Sequence, residues 1–492
     1  MIPETYPLPS SPTRKVLDRF SLLSDAQPPI EEDSSGQVPL WPLLHHLLSP
    51  STIPASNPDI TAFADLTSLL DTISTTLRAT SHPAGDYALL REAITSRFQS
   101  ESRFFAVVWP RIARLALEMP ALFPAGELPV LGGRDGETSK VALSRRQAAC
   151  LVVHQFLRTL VAPGWMEEGG LCDFGVWYGR EGQRQESAVR AYLGALIAYF
   201  EEVVCGGGLD SGEWVVEYAL RSVEEGVFQE VLGREGCVLG EMEVVLVERY
   251  DLLPESLGIP GGAAVVSANR NIGFGQSATQ EEVHVGSSPE ACPAVLLTPP
   301  LKDGQVLVVR GAQVMVNITG QRRDIGVEKM PIPEGGQKAW RERTMLFMDA
   351  LELDMAEAGN RLPDLLPGNI DREVRKAYTA FLSGGFSEVR TGLWGCGAFC
   401  GDPGIKMLLL WLAASMAGLR LVVVCDSTDL EFAKDLRCVA GMARDVLRDT
   451  AGLRQLLGEA PPSLLRGQSL SWIRGQLEQK PAIIGAKKTS HS

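Results

Sequence analysis

The chain has 492 residues, of which 45% are hydrophobic and 22% are charged, and its formal net charge is −14 at pH 7. These fractions are typical of a folded globular protein, and the length is too great for a single ordinary core, so two structural units are expected. The negative charge argues against direct binding to nucleic acid, which requires a positive protein surface.

The first part of the chain predicts a short arm followed by helices. Residues 1–40 are rich in Pro, Ser, Asp and Glu, and we expect them to be disordered. Residues 41–235 show mainly helical periodicity, which predicts an α-helical accessory domain. Its clearest helices are expected across Phe105–Leu117 and Ser144–Leu160.

A different pattern extends from about residue 236 to about residue 455, where short apolar runs alternate with helical stretches. This pattern predicts a layered α/β domain with a parallel or mixed sheet. The expected strands are Met242–Val247, Ala263–Ala268, Gln305–Val309, Thr344–Met348 and Leu419–Cys425. The expected helices include Asp371–Leu382, Ile405–Ala417 and Asp429–Arg448. Residues 456–492 are expected to form a C-terminal helix and a frayed tail.

The nine cysteines and six histidines give no sign of a metal site. No Cys-x-x-Cys pair occurs, and the histidines show no ligand spacing, so zinc is not predicted. The odd number of cysteines, with no recognisable signal peptide, favours a reducing compartment. No stretch has the length and composition of a clean transmembrane helix, so no membrane attachment is expected.

An apolar strand that ends at Asn269 leads into a glycine turn with Gly273 and Gly275. The polar side chains that follow this turn are Gln280, Glu281 and Glu282. Adjacent carboxyl groups can divide acid/base work, because one can be held protonated while the other stays ionised. Glycosidic cleavage needs a carboxyl group that protonates the leaving oxygen and then deprotonates water. Most Glu-Glu pairs are simply solvated, so the pair alone does not predict catalysis.

A second glycine-rich run, with Gly395, Gly397 and Gly401, precedes the apolar helix Ile405–Ala417. Glycines let backbone N–H groups approach a ligand, and a helix start adds unpaired N–H groups and partial positive charge. This arrangement binds phosphate in many proteins. The nearby rings of Trp394 and Phe399 are flat faces that suit a nucleotide diphosphate, and Arg390 and Lys406 are candidate cations for it. A plain strand-to-helix turn explains the glycines equally well.

These motifs together resemble those of the poly(ADP-ribose) glycohydrolases. Residues 273–282 are similar to that family's signature of glycines, a short spacer and Gln-Glu-Glu, and residues 391–399 are similar to its diphosphate loop. Residues 316–320 lie where the family has the Thr-Gly pair of its adenine-side loop. Residues 143–150 resemble a helix of its N-terminal region, and residues 426–430 resemble the segment after the last core strand. The resemblance covers roughly residues 100–450.

The resemblance implies a macrodomain-like, mixed-sheet α/β/α catalytic domain preceded by the helical accessory domain. It implies a glycoside hydrolase that cleaves ribose–ribose bonds in poly(ADP-ribose) and releases ADP-ribose. Glu282 would be the general acid/base, Glu281 would hold ribose hydroxyls, and Asn269 would orient the same sugar. The other residues implied in substrate binding are Gly273, Gly275, Gln280, Thr319, Gly320, Gln321, Gly395, Cys396, Gly397, Ala398 and Phe399. No metal or cofactor is implied.

The expected partners are poly(ADP-ribose) and ADP-ribosylated proteins, without direct nucleic-acid binding. The resemblance further implies an intracellular monomer of the nucleus or cytoplasm that acts in the DNA damage response. Two other functions remain open. One is a non-hydrolytic reader of ADP-ribose, and the other is a hydrolase of mono-ADP-ribose or related nucleotide conjugates.

The sequence departs from the family pattern mainly around the adenine. Gln321 stands where many members have a Tyr that packs on adenine, and Cys425 stands where an aromatic residue can close its other face. Phe274 interrupts the family's run of three glycines. The carboxylates and the diphosphate loop are kept, so we expect the same chemistry with different ligand packing. His284 is expected on a helix face.

Overall fold

The computed structural model describes residues 3–19, 30, 32–49, 60–78, 85–166, 171–209, 212–321, 324–354 and 361–480. The strands in these residues are β1 (Thr5–Pro7), β2 (Lys15–Leu17), β3 (Gln37–Pro39), β4 (Glu127–Pro129), β5 (Thr138–Ser144), β6 (Val215–Ser222), β7 (Met242–Val247), β8 (Gly262–Ala268), β9 (Gln305–Arg310), β10 (Val316–Thr319), β11 (Gly326–Lys329), β12 (Thr344–Asp349), β13 (Glu388–Thr391) and β14 (Arg420–Asp426).

The α-helices in the described residues fall into two groups along the chain. Those before the first glycine turn are α1 (Leu40–Leu48), α2 (Phe63–Arg78), α3 (Ala88–Phe98), α4 (Glu101–Arg103), α5 (Trp109–Leu117), α6 (Met119–Leu122), α7 (Arg145–Phe156), α8 (Gly175–Tyr178), α9 (Glu186–Tyr199) and α10 (Glu225–Leu232). Those after it are α11 (Gln280–Gly286), α12 (Ala294–Leu297), α13 (Asn369–Phe381), α14 (Pro403–Ala417), α15 (Leu430–Val446), α16 (Thr450–Gly458) and α17 (Ser469–Gln479). No described helix is both long and apolar enough to cross a membrane.

An eight-stranded mixed sheet forms the centre, with strand order β5-β6-β9-β12-β8-β13-β14-β7. The five strands from β12 to β7 run parallel, whereas β5, β6 and β9 pair antiparallel. Every residue of β12 is buried, and so is nearly all of β8. Continuous apolar composition is typical of parallel strands that are covered on both faces.

Two hydrophobic cores lie on opposite faces of this sheet. Neighbouring strand residues alternate between them, so that Leu346 packs in one core and Phe347 in the other. The core that contains Phe347 is shared with the helices of the N-terminal part, and the core that contains Leu346 is shared with α13, α14 and α15. The strands and helices expected between residues 236 and 455 are confirmed, with ends that differ by at most two residues.

One expectation for the N-terminal part is wrong. Residues 3–19 and 32–39 are not a loose arm, because β1 pairs with β4 and the Tyr6 hydroxyl donates to the carbonyl of Val161 at 2.7 Å. Residues 1–2, 20–29 and 31 of the expected disordered segment lie outside the described ones. Helices α1 to α10 confirm the expected helical character of the part up to residue 235, which also supplies β5 and β6 to the central sheet. The domain boundary at residue 235 stays a prediction, but the sheet crosses it.

The C-terminal helix that we expected is present as α17. Its residues Leu470, Ile473 and Leu477 are buried in the core on the α14 side of the sheet, so the chain is packed rather than frayed up to residue 479. The tail that contains Lys487 and Lys488 lies outside the described residues.

Candidate active site

The two glycine segments meet at one edge of the sheet. The first follows β8 and the second follows β13, and these strands are parallel neighbours. Their carboxyl ends therefore lie at the same edge, which is where ligands bind in open α/β sheets. The segments lie close together, because a Cβ built on Gly392 would be 3.7 Å from the side-chain nitrogen of Gln280. Gln280 in turn accepts a hydrogen bond from the backbone of Ser267 at 3.0 Å.

Glu281 is buried under the first glycine turn. One carboxyl oxygen accepts from the backbone N–H of Asn269 at 2.9 Å, and the other accepts from that of Gly273 at 3.1 Å. Burial raises the pKa of this carboxyl to about 8, although the two N–H donors oppose the change, and the charges of Glu282 and Asp349 raise it further. Glu281 is therefore held protonated at neutral pH.

Glu282 is half-buried and lies at the start of α11, where it forms a capping box with Thr279. Its Oε2 accepts from the Thr279 hydroxyl at 2.7 Å, from the Thr279 N–H at 3.2 Å and from the hydroxyl of Ser277. Its Oε1 accepts one long hydrogen bond, from the Ser277 N–H at 3.3 Å. One oxygen is thus fixed by the loop, and the other retains capacity for a ligand.

Gly275 leaves room for that second oxygen. A Cβ built on Gly275 would lie 2.2 Å from Oε1 of Glu282, which is far closer than two such atoms can approach. By contrast, the nearest contact of a Cβ on Gly273 would be the carbonyl of Asn271 at 3.9 Å. The two glycines of the turn therefore serve different purposes, and the one at position 275 accommodates a carboxylate.

In the second glycine segment, two glycines, Gly395 and Gly401, are packed so closely that a side chain would not fit. Gly395 has a φ of 73°, in the left-handed region, and its Cβ would lie 2.7 Å from that of Ala350. A Cβ on Gly401 would lie 2.4 Å from Cε of Lys406. Gly397 is different, because a Cβ there would meet no atom of the described residues within 4 Å. The fold thus requires the outer glycines, and the open side of the loop lies at Gly397.

Of the two rings beside this loop, only Phe399 is partly exposed. Its backbone carbonyl accepts from Leu353 at 3.0 Å, which ties the loop to the segment after β12. Trp394 is fully buried, and its indole N–H donates to the carbonyl of Met348 at 3.0 Å. The expectation that Trp394 presents a flat face to a ligand is wrong, because this ring anchors the loop to β12. Cys396 and Ala398 lie on the loop between Gly395 and Phe399.

The two candidate cations beside the loop are already paired. Lys406 is completely buried, bonds to Glu373, and lies 3.6 Å from a carboxyl oxygen of Asp364. Its ammonium also lies 5.2 Å from the centre of the Trp394 ring. Arg390 pairs with Glu388 at 2.8 Å. Lys406 thus stabilises the loop from the buried side. Neither Lys406 nor Arg390 is a free surface cation.

Sequence reasoning missed a buried ion network at the end of β12. Asp349 accepts from Arg372 and from Lys376, each at 2.6 Å, and Arg372 also contacts Glu373 at 2.6 Å. Burial lowers the pKa of Lys376 to about 8, against the attraction of Asp349. The available signal was the spacing of Glu373 and Lys376, which puts both charges on the inner face of an amphipathic helix.

The Thr319–Gln321 loop reaches the same edge through Tyr250. The N–H of Gly320 donates to the carbonyl of Tyr250 at 2.8 Å, and the Tyr250 hydroxyl donates to the carbonyl of Val424, near the end of β14, at 3.1 Å. Gly320 has a φ of 78°. Gln321 is exposed, whereas Thr319 is buried and its hydroxyl has no partner among the described residues.

His284 lies on a face of helix α11, which confirms the expectation. It is buried, and burial together with the charge of Arg343 lowers its pKa to about 3. It is therefore neutral at physiological pH. In the described residues, no group of three or more His, Cys, Asp or Glu side chains is arranged to hold a metal ion.

Sequence models of one protein family match two parts of the chain. The model described as "Poly (ADP-ribose) glycohydrolase (PARG), helical domain" matches residues 97–218. The model described as "Poly (ADP-ribose) glycohydrolase (PARG), Macro domain fold" matches residues 256–433. The fold is therefore a macrodomain-type α/β layer structure with a helical domain ahead of it. Because the two matches together cover more than half of its length, the chain belongs to the poly(ADP-ribose) glycohydrolase family.

Two similar proteins come from Caenorhabditis elegans. Poly(ADP-ribose) glycohydrolase 2 is 32% identical over 182 residues, which are 34% of this chain and 37% of that protein. Poly(ADP-ribose) glycohydrolase 1 is 25% identical over 326 residues, which are 62% of this chain and 38% of that protein. The chain thus matches well under half of the length of either relative.

Solved structures of poly(ADP-ribose) glycohydrolase from Deinococcus radiodurans in complex with ADP-ribose are also similar, at 16% sequence identity. One, of a point mutant, matches over 48% of this chain and 92% of that chain with a TM-score of 0.28. Another matches over 43% and 90% with a TM-score of 0.24.

Proposed function

We propose that this protein hydrolyses ribose–ribose O-glycosidic bonds of poly(ADP-ribose) and releases ADP-ribose. The observation that carries the proposal is the meeting of two elements at one sheet edge. A carboxylate pair lies in the first turn of α11, and an open glycine loop follows the neighbouring strand, with Gln280 and Gly392 close to each other between them. Together they would supply a proton donor and acceptor beside a backbone site for an anion. Hydrolysis of a glycoside that carries phosphate requires both.

In this proposal Glu282 is the general acid/base. Its Oε1 carries the proton, because Oε2 is occupied by Ser277 and Thr279. As the glycosidic bond breaks, the proton passes to the departing ribose oxygen, and the bonding electrons leave with that oxygen. The resulting carboxylate then takes a proton from water while the water oxygen bonds to the anomeric carbon, so Glu282 ends protonated again.

Glu281 and Asn269 position the reacting ribose in this proposal. Each Glu281 oxygen accepts only one backbone hydrogen bond, so the protonated carboxyl group can still bind sugar hydroxyls through its O–H donor and its remaining lone pair. Asn269 lies at the end of β8, and its side-chain oxygen accepts from the backbone of Asn271 at 2.9 Å, which leaves its amide N–H groups to donate.

The structure also supports a second assignment of the two carboxyl groups. A general acid must be protonated before the reaction, and the residue whose pKa is raised to about 8 is Glu281. In the alternative, Glu281 protonates the leaving oxygen and Glu282 orients water. We favour Glu282 because Glu281 is more deeply buried and both of its oxygens are bound to backbone N–H groups.

Gly395, Cys396, Gly397, Ala398 and Phe399 would hold the diphosphate of the substrate. Backbone N–H groups would contact its oxygens on the open side at Gly397, and Phe399 would pack against a ribose. A phosphate placed near the anomeric carbon stabilises the positive charge that develops as the bond breaks. Gly320 and Gln321 would lie toward the adenine, and buried Thr319 would shape their loop rather than touch the ligand.

The natural substrates in this proposal are poly(ADP-ribose) and the proteins that carry it. We further propose a monomer that acts in the nucleus or cytoplasm, in the response to DNA damage, without binding nucleic acid directly. The net charge of −14 supports the last point, because it disfavours general attraction to nucleic-acid phosphates.

The test is to incubate the protein with radiolabelled poly(ADP-ribose) and to separate the products. Release of ADP-ribose by the wild type and its loss in Glu282→Gln would support the proposal. Tight ADP-ribose binding without release would identify a reader instead. Equal turnover of polymer and of mono-ADP-ribosylated protein would identify a hydrolase of single units.

A further inference from the structure

The loop that carries the first glycine turn is attached to the helical domain at three successive residues. The indole N–H of Trp177 donates to the carbonyl of Gly275 at 2.7 Å, and the hydroxyl of Tyr192 donates to the carbonyl of Ser277 at 2.7 Å. Between them, the side-chain amide of Gln276 donates to the carbonyl of Val176 at 2.9 Å. The loop is thus held by α8 and α9 in addition to β8 and α11, the strand and helix that it connects.

The donors of these hydrogen bonds are held in place by packing. Trp177 and Tyr192 are 1% and 0% exposed, and their rings lie 5.4 Å apart. Phe274, inside the glycine turn, is also buried and lies 5.3 Å from the rings of both Phe174 and Trp177. The residue that interrupts the glycines therefore places the turn in an aromatic cluster of the helical domain.

Tyr192 contacts both ends of the segment that carries the carboxylates. Its hydroxyl holds Ser277 just before α11, and its ring fills the space beside Gly286, the last residue of α11, where a Cβ would lie 2.4 Å from the ring. Ser277 in turn donates its N–H and its hydroxyl to Glu282. A chain of two contacts therefore leads from Tyr192 to the proposed acid/base.

Trp177 is linked to the same carboxylate through Gly275. It fixes the carbonyl of Gly275, and Oε1 of Glu282 lies directly over this glycine. A shift of Gly275 would therefore change the space available to Oε1. The two aromatic donors are thus linked to the Glu282 carboxylate through two different residues of the loop, Gly275 and Ser277.

We infer that Trp177 and Tyr192 are positioning residues through which the helical domain fixes the catalytic loop in its reactive geometry. The inference rests on the proposed function, since it concerns the same carboxylate. A misplacement of a catalytic group by about 1 Å can lower a rate on the order of a hundredfold. The helical domain thereby sets the turnover rate, whereas the diphosphate loop after β13 sets ligand affinity.

The test compares Tyr192→Phe with Tyr178→Phe. Both substitutions remove one buried hydroxyl of the helical domain that donates to a backbone carbonyl, but the acceptor of Tyr178 is Phe156, away from the loop. We expect Tyr192→Phe to lower kcat on poly(ADP-ribose) by on the order of tenfold or more, with KM and ADP-ribose affinity close to wild type. Tyr178→Phe is expected to keep the wild-type kcat. Equal kcat values for the two variants would overturn the inference.

A second readout does not depend on activity. Amide hydrogen exchange across residues 273–283 is expected to be faster in Tyr192→Phe than in Tyr178→Phe, and equal exchange would also overturn the inference. If Tyr192→Phe does not fold, Trp177→Phe replaces it, because it keeps an aromatic ring while it removes the N–H donor together with part of the ring volume. If the wild type releases no ADP-ribose, the proposed function fails, while faster exchange in Tyr192→Phe alone still supports the anchoring of the loop.

Discussion

Oε1 of Glu282 lies in the space that a side chain at position 275 would fill, only 2.2 Å from where a Cβ of Gly275 would stand. The conformation of this carboxylate therefore depends on the absence of one methyl group. We predict that Gly275→Ala displaces Glu282 and lowers kcat by on the order of tenfold to a hundredfold, because the acid/base leaves its position. The measurement is steady-state release of ADP-ribose from the polymer.

Gly273→Ala provides the comparison for this prediction, since the atom nearest to a Cβ there would be the carbonyl oxygen of Asn271, at 3.9 Å. Its kcat is expected to fall less than that of Gly275→Ala. If Gly275→Ala keeps the wild-type kcat, the carboxylate can move without loss, and Oε1 is not the reacting atom.

Replacing each carboxyl group by an amide separates their roles. We predict that Glu282→Gln lowers turnover by about 10²–10⁴-fold and leaves ADP-ribose binding largely intact, because the amide keeps the shape and loses the titratable proton. Glu281→Gln is expected to weaken catalysis through sugar positioning, with a smaller effect on the chemical step. Single-turnover rates give the comparison. A severe loss in Glu281→Gln with a mild one in Glu282→Gln would reverse the two assignments.

The raised pKa of Glu281 predicts a dependence of stability on pH. The folded protein keeps this proton up to a pKa of about 8, whereas the unfolded chain loses it near the ordinary value of 4.5. Between these two pH values the folded state binds more protons, so this group's contribution to the free energy of unfolding falls as pH rises. Glu281→Gln cannot ionise and is expected to remove that fall.

The measurement is the difference in urea midpoint between wild type and Glu281→Gln at several pH values from about 5 to 8. Comparing the two proteins cancels other titrations, such as that of His284, whose lowered pKa makes stability rise with pH from about 3 to 6.5. A difference that stays constant with pH would show that Glu281 is ionised in the folded state at neutral pH.

Gly397 and Gly401 lie in one loop, but we expect their substitution by valine to affect different properties, ligand binding at Gly397 and stability at Gly401. Gly397→Val is expected to fold normally, because its side chain meets open space, and to weaken ADP-ribose binding by about tenfold or more, or about 1.4 kcal/mol, by blocking the approach of phosphate. Gly401→Val is expected to destabilise the fold, because its Cβ would overlap Lys406. Thermal unfolding and calorimetric titration distinguish them. Unchanged affinity in folded Gly397→Val would make the loop a plain turn.

The exposed position of Gln321 allows a test of the adenine side. Stacking of a base on an aromatic ring is worth about 1–3 kcal/mol, so Gln321→Tyr is expected to tighten ADP-ribose binding. Ribose 5-phosphate, which lacks adenine, is the control ligand, and its affinity is expected to stay the same. Equal or weaker binding of ADP-ribose by Gln321→Tyr would show that another part of the pocket already holds the adenine.

The parallel strands could be predicted from sequence because strands covered on both faces are continuous apolar runs, as in β8 and β12. The strand β5 was missed, because it lies among helices and only Val141 and Leu143 of its seven residues are buried, so its alternation is short. The candidate site residues were found from their order along the chain. The anchoring of the loop was not, because Trp177 and Gly275 are 98 residues apart and Tyr192 and Ser277 are 85 apart, so no local pattern encodes these contacts.

The division of the sheet between the two parts of the chain limits how the protein can be cut. A fragment that began at residue 236 would lose β5 and β6 and would leave one long side of β9 without hydrogen-bond partners from Gln305 to Arg310. Unpaired edges of this kind recruit strands from other molecules, so such a fragment is expected to aggregate. The macrodomain of this protein is therefore expected to need the preceding sequence in order to fold, so the two parts have to be expressed and engineered together.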